Sequence, residues 1–319
     1  MSRVLTGDKL LESIRNRAMI PDDTSVYTDD NLLSIANEEM DVQLLDKLLS
    51  LHEEHLTTNV EVDRNVAGIY DIPYRSVGNK IRDISMIRGG NLYELTQVSI
   101  GELSDYIDNG DNYTNGLDKF YVEHNQIKLV QPSRSYDTLR IYFHIRPNFL
   151  TKLEKAGTIT SIVTTDTEVT YNFATIPTSF TASLEYDFVG YRTPNKIKAY
   201  DITPAEVNTS LNYIKFTKSD IATLSEIVVG DYICVAEESP VPNIPTEMHP
   251  VLAQLTAVHV LEAMGDTEGL TNAQRRLEKM QKSVMALIDD RVELAQKKIR
   301  PRNGILAEGR SGQNRRRGR

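Results

Sequence analysis

The sequence predicts an α+β protein. Its expected core is a helical bundle made from the two ends of the chain, with a large antiparallel β sandwich or barrel inserted between them and an extended carboxy-terminal arm beyond. Three observations lead there. Apolar residues recur at helical spacing near both ends of the 319-residue chain and nowhere in its middle. The stretch from Val60 to Glu238 instead breaks into eight or more short runs rich in β-branched and aromatic residues, with turns between them. The last twenty residues are mostly Arg, Gly, Ser and Asn, a composition that cannot bury a core. Four segments are therefore expected: helices in 1–58, a β-rich insertion over 59–238, a proline tether with further helices in 239–299, and an arm over 300–319.

Taken in order, "DKLLESIRNRAM" is a short amphipathic helix stopped before Pro21. A long one follows in "TDDNLLSIANEEMDVQLLDKLLSLHEEHL". Thr28 is placed to cap it, Asp29 and Asp30 sit at the positive end of its dipole, and Leu32, Leu33, Ala36, Met40, Leu44, Leu48 and Leu51 form its apolar stripe. In the β region, "KFYVEHNQIKLV" reads as two strands around His124, Asn125 and Gln126, and "DTLRIYFHIRP" alternates Leu139, Ile141, Phe143 and Ile145 with polar partners. Tyr142, Tyr186 and Tyr213 read as amphipathic tyrosines at core edges. Pro240, Pro242 and Pro245 mark a stiff extended return to the helices. The helix after them carries Val251, Leu252, Leu255, Val258, Leu261 and Met264 around most of its circumference, which predicts neighbours on several sides. In the last helix Thr271 and Gln274 suggest a capping box, and Ala273, Leu277, Met280, Val284 and Leu287 a seam against another helix.

Charge is unevenly spread. From Lys297 to Arg319 there are nine basic residues against one acid, Glu308, while the other 296 residues carry 27 basic and 44 acidic side chains. A body at −17 repels nucleic acid over most of its surface, whereas a tail at +8 attracts an acidic partner. The only cysteine, Cys234, permits no intramolecular disulfide and falls in a strand-like run as a buried thiol. No apolar run reaches the ~18 residues of a membrane span, and the amino terminus lacks the apolar core of a secretory signal. The chain is accordingly expected in aqueous surroundings, with no membrane association.

Enzyme signatures fail on spacing. His52 and His55 are three apart where a zinc protease helix needs four, and Asp105, Asp108 and Asp111 recur every third residue, unlike a calcium loop. The glycines of "SVGNKIRDISMIRGG" make neither a P-loop nor a dinucleotide fingerprint. His249 is placed to cap a helix, His259 to be a satisfied core or interface histidine, His124 to lie in a turn and His144 on the outer side of a strand. No catalytic residue, metal ligand or cofactor is assigned.

Three regions together carry a resemblance. "TDDNLLSIANEEM" (28–40), "YDIPYRSVGNKIRDI" (70–84), and "AGTITSI" (156–162) with "GDYICVAEESPVPNIPTEMHPVLAQLTAVHVLEAMGD" (230–266) resemble head-to-tail connector proteins, or adaptors, of tailed bacteriophages. The resemblance spans nearly the whole chain and is most specific at the prolines and His-Pro that lead into Leu-Glu-Ala-Met-Gly-Asp. It implies a structural virion protein of the neck, assembled in the host cytoplasm, in a ring of twelve copies beneath the portal. It further implies contacts with the portal and with a tail or nozzle protein, and DNA passing through the ring without specific binding. On that reading Val251, Leu255, Val258, Leu261 and Met264 supply a ring interface. The arm residues Arg300, Arg302, Ile305, Leu306, Arg310, Arg315, Arg316, Arg317 and Arg319 grip the portal, the arginines pairing with carboxylates and the two apolar residues anchoring. The large β insertion departs from the minimal connector. The rival readings are a nucleic-acid-binding packaging accessory and a carbohydrate-binding β module of a tail fibre.

Overall fold

A computed structural model describes residues 4–20, 26–103, 119–130, 138–191, 196–220 and 226–288. The fold is mixed α and β, with several mostly antiparallel sheets, none of them closed into a barrel. Helix α1 (Gly7–Ala18) ends on Met19, whose left-handed φ of 54° turns the chain before Ile20. Helix α2 (Asp29–Glu39) starts as its sequence predicts: the Asn31 backbone N–H donates to Thr28 Oγ1 at 3.3 Å. It runs through a π-helical turn (Met40–Leu44) directly into α3 (Leu45–His52). After the β region come α4 (His249–Met264) and α5 (Thr267–Ile288). Helices from both ends of the chain share one apolar core, which runs from Leu10 and Ile14 of α1 through Leu32, Met40 and Leu48 to Leu252, Ala257 and Val260 of α4.

Two details of the last helix differ from expectation. It begins four residues before Thr271, because Asp266 Oδ1 accepts the Gly269 N–H at 3.0 Å and caps the new start. Thr271 Oγ1 is then inside the helix, donating to the Thr267 carbonyl at 2.8 Å, and no capping box forms. The seam uses Ala273, Leu277, Met280 and Val284 as predicted, but ends on Ile288, with Leu287 73% exposed. A step of four from Val284 keeps to the same face of the helix, and that step wins here.

Among the described residues the β region holds two large apolar cores, where one sandwich or barrel was expected, and a smaller cluster that includes Val189, Tyr232 and Cys234. In the first, β1 (Thr57–Asp63), β8 (Thr138–Ile145), β3 (Ser76–Arg88) and β4 (Asn91–Glu94) pair in that spatial order. A second sheet of β2 (Ile69–Asp71), β7 (Gln126–Leu129), β6 (Lys119–Glu123) and β5 (Thr96–Gln97) shares their core, Ile84, Leu139 and Ile141 meeting Tyr70, Phe120 and Ile127. Burial along β8 alternates at every residue, as its sequence does. The β6–β7 hairpin turns on His124 and Asn125, both with positive φ (50° and 61°), the backbone of a tight two-residue hairpin turn.

The second core lies in one seven-stranded sheet. Its spatial order is β13 (Ile197–Ile202), β12 (Tyr186–Val189), β16 (Tyr232–Val235), β10 (Gly157–Thr164), β11 (Glu168–Phe173), β15 (Tyr213–Thr217) and β14 (Glu206–Asn208). The start of β10 pairs with β16 and its remainder with β11, across a register shift between Ile159 and Ser161. The sheet curls at that point, so that Phe188 of β12 and Phe216 of β15 meet with ring centroids 5.2 Å apart. A short parallel pair, β9 (Phe149–Leu150) with β17 (Glu238–Ser239), lies where the β region meets the helices.

The segment expected as a tether is a buried strap. Every residue from Ser239 to Thr246 is shielded from solvent. Proline suits this position because it brings no backbone N–H that would need a partner in the interior. The Pro240 carbonyl accepts the Gly7 N–H at 2.7 Å, and a Cβ on Gly7 would lie 2.3 Å from the Thr151 carbonyl oxygen, so the amino terminus of α1 is pressed against the strap and its neighbour.

Candidate functional site

Helix α4 is the natural centre from which to look for function. It packs against α1, α2 and α5, which together cover more of it than the sequence suggests. Val251, Leu255 and Leu261 are at most 5% exposed within the chain's own core. They are therefore not available as ring contacts, a correction to the sequence reading: three neighbouring helices of the same chain fill the apolar circumference. Of the five proposed interface residues, Val258 remains half-buried and Met264 is 44% exposed. Other large apolar side chains on the helices reach solvent, with Val42 on the π turn at 70% and Leu287 at 73%. The arm residues Arg300, Arg302, Ile305, Leu306, Arg310, Arg315, Arg316, Arg317 and Arg319 lie outside the described residues, as does the aspartate-rich loop containing Asp105, Asp108 and Asp111.

Three histidines, His249, His259 and His144, are tied into the fold by their ring nitrogens. His249 is fully buried: its Nδ1 accepts the Leu5 N–H at 3.1 Å, and its Nε2 lies 3.2 Å from the Ile244 carbonyl, to which it donates. Burial pushes its pKa from 6.5 down to about 4, so the ring is neutral and ties the amino terminus to the strap instead of capping α4. His259 Nδ1 is 2.9 Å from Glu39 Oε1, joining α4 to α2. His144 is half-buried, 3.4 Å from Thr57 Oγ1, and burial lowers its pKa. Cys234 is fully buried and its thiol pKa is raised by burial, the environment of an inert thiol. Among the described residues no three His, Cys, Asp or Glu side chains are placed to hold a metal ion, and no helix is long and apolar enough to cross a membrane.

No protein-family model matches this chain, and no curated protein matches it either.

Sequence reasoning missed a densely connected buried polar network. Arg75, 4% exposed in the turn before β3, donates from Nη2 to Asp187 Oδ2 (2.6 Å) and to Asn148 Oδ1 (2.8 Å), and from Nη1 to Asp201 Oδ1 (3.2 Å). Asn148 Nδ2 donates to the same Asp187 Oδ2 at 2.6 Å and to the Glu238 carbonyl at 2.9 Å. The backbone N–H groups of Asp201 and Glu237 complete the shell around the Asp187 carboxylate, and Asn243 of the strap accepts the Asn148 N–H at 3.1 Å. Burial opposes the charge of Arg75, yet Asp187 first and Asp201 next hold its pKa above the ordinary value. The network joins the first β core, the second β core and the strap through fully satisfied partners. It does not present an unengaged acid or base to a cleft.

A polar cavity of about 170 Å³ lies nearby, lined by His55, Thr57, Lys196, Lys198 and Asn243 among others. Both lysines are neutralised, Lys196 by Glu226 at 2.8 Å and Lys198 by Asp231 at 2.7 Å.

Proposed function

We propose that this chain is a structural subunit of a tailed-phage neck: a head-to-tail adaptor that forms a ring, of twelve copies, beneath the portal and joins the DNA-filled head to the tail. It works by assembly and not by catalysis, without a cofactor. One observation carries the reading. Residues 240–266, the most specific part of the resemblance, coincide with the buried strap and the helix around which helices from both chain ends pack. In this reading the helices form the bundle of a connector, the β region is inserted into it, and the ring contacts are the apolar side chains that reach solvent, Val42 and Met264, in place of those already buried. The acidic body lets DNA pass through the lumen without sticking, and the arm, with Ile305 and Leu306 as anchors, takes an acidic groove of the portal.

The test is a cryo-EM image of the parent virion neck, together with assembly of the purified chain on portal-bearing heads. The expected result is a twelve-fold ring directly below the portal. Val42→Asp combined with Met264→Asp is expected to leave the circular dichroism spectrum unchanged while abolishing ring formation, since both side chains are exposed in the single chain. Density for the chain in a fibre or inside the head would overturn the adaptor reading. Normal rings from the double variant would overturn the interface assignment alone.

A further inference from the structure

Four residues of α1, Lys9, Ser13, Asn16 and Arg17, fall at helical spacing on one face. Across from them α5 carries Arg276, and the two helices bound an open groove of about 600 Å³. Arg17 is half-buried in its wall and is held in place by neutral acceptors: Nε donates to Ser13 Oγ at 3.2 Å and Nη1 to Gln254 Oε1 at 2.6 Å. Gln254 is itself 2% exposed and fixed from the other side, donating from Nε2 to the Ala273 carbonyl at 3.2 Å. A chain of hydrogen bonds through α1, α4 and α5 therefore preorganises one guanidinium at the groove.

Among the described residues this guanidinium meets no counter-charge. Arg15, Arg75, Arg82 and Arg140 each pair with a carboxylate. Among the described residues no carboxylate pairs with Arg17 or Arg276, although Glu12 lies on the groove wall. Burial first, and the like charge of Arg276 second, lower the pKa of Arg17. Two cations held near each other, one of them partly desolvated, are costly unless an anion joins them.

We propose that the groove between α1 and α5 is a carboxylate-binding cleft that takes an acidic segment of a partner protein, with one carboxylate side chain lying between Arg17 and Arg276. A guanidinium offers paired donors that match a carboxylate. Met19, 90% exposed at the rim, and Leu5 in the wall give apolar contact to the residues flanking that acid. A protein acid fits better than a nucleic-acid backbone because a half-buried guanidinium is reached by a single carboxylate side chain more easily than by a polyphosphate chain.

The test places a reporter in the groove itself, so that the basic tail contributes no signal. Cys234 is fully buried, so Asn16→Cys on the full chain can be labelled selectively with an environment-sensitive fluorophore. Titration at low ionic strength with the acetylated peptide Leu-Glu-Glu-Leu-Glu-Glu is expected to give a saturable change. Arg17→Gln or Arg276→Gln should weaken it by about tenfold, and Lys282→Gln, on the exposed part of α5, should not. Arg276 is exposed, so its variant keeps the test valid if Arg17→Gln fails to fold. The proposal is overturned by the absence of a saturable signal, or by unchanged affinity in the Arg276 variant. It is equally overturned by tighter binding of single-stranded DNA of equal charge, or by binding that appears only when Asp22 and Asp23 are changed to Asn, which would mean that the chain's own carboxylates fill the cleft.

Discussion

At the scale of single residues, His249 shows how burial converts a titratable group into a structural one. Its ring is enclosed where the amino terminus, the strap and α4 meet, and both nitrogens are used in the neutral form. Because the folded pKa of about 4 lies below the ordinary 6.5, the unfolded chain takes up a proton first as pH falls. The stabilisation from neutral His249 is complete above pH 6.5 and is lost on acidification toward pH 4, at about 1.4 kcal/mol per pH unit and roughly 3 kcal/mol in total. Urea unfolding of the wild type and of His249→Asn at neutral pH and near pH 4 measures this. The variant should lose less stability than the wild type by that amount, and an equal acid sensitivity in both would contradict the assignment.

At the scale of elements, the π turn in the second helix follows from the sequence once its spacing is examined. Ala36, Met40, Leu44 and Leu48 recur every four residues, and each such step on an α-helix overshoots a full turn by about 40°. A straight helix would carry the last of these residues away from the core. The π turn absorbs one residue, with the Leu45 N–H bonded to the Met40 carbonyl, and Met40, Leu44, Leu45 and Leu48 are all buried. Removing one exposed residue from the turn should therefore yield an ordinary α-helix with the same buried face. Deletion of Gln43 is expected to preserve helical ellipticity and to move the melting temperature by less than about 4 °C. A fall of more than roughly 10 °C, or loss of cooperative unfolding, would show that the π geometry itself is required.

At the scale of the whole molecule, the Arg75 network is the joint on which the β cores and the strap converge. Asp187 is fully buried and takes charge-assisted bonds from Arg75 along with those from Asn148 and two backbone N–H groups. Replacing Arg75 with Met strands that carboxylate, at an expected cost of roughly 3 to 5 kcal/mol in unfolding free energy. Adding Asp187→Asn removes the stranded charge and should restore a substantial part of the loss. A double-mutant cycle by denaturant unfolding reads the coupling directly. Additive losses would mean that the two residues stabilise the fold independently and that the joint is not a unit.

By itself the sequence determined the features whose causes are local. The Thr28 cap, the alternating burial of β8, the His124–Asn125 hairpin and the inert setting of Cys234 all follow from residue type and short-range spacing. The imbalance between acidic body and basic tail is likewise plain in the chain itself. Tertiary structure decided the rest, because burial depends on which distant segments meet. An apolar circumference on α4 does not say whether its neighbours belong to the same chain; Val251, Leu255 and Leu261 are covered from within, by helices more than 200 residues earlier as well as by the one that follows. The prolines of the strap look like a solvated linker until the helices and the β cores close over them. Arg75 finds Asn148, Asp187 and Asp201 across 73, 112 and 126 positions of sequence, and no local pattern marks partners that far apart.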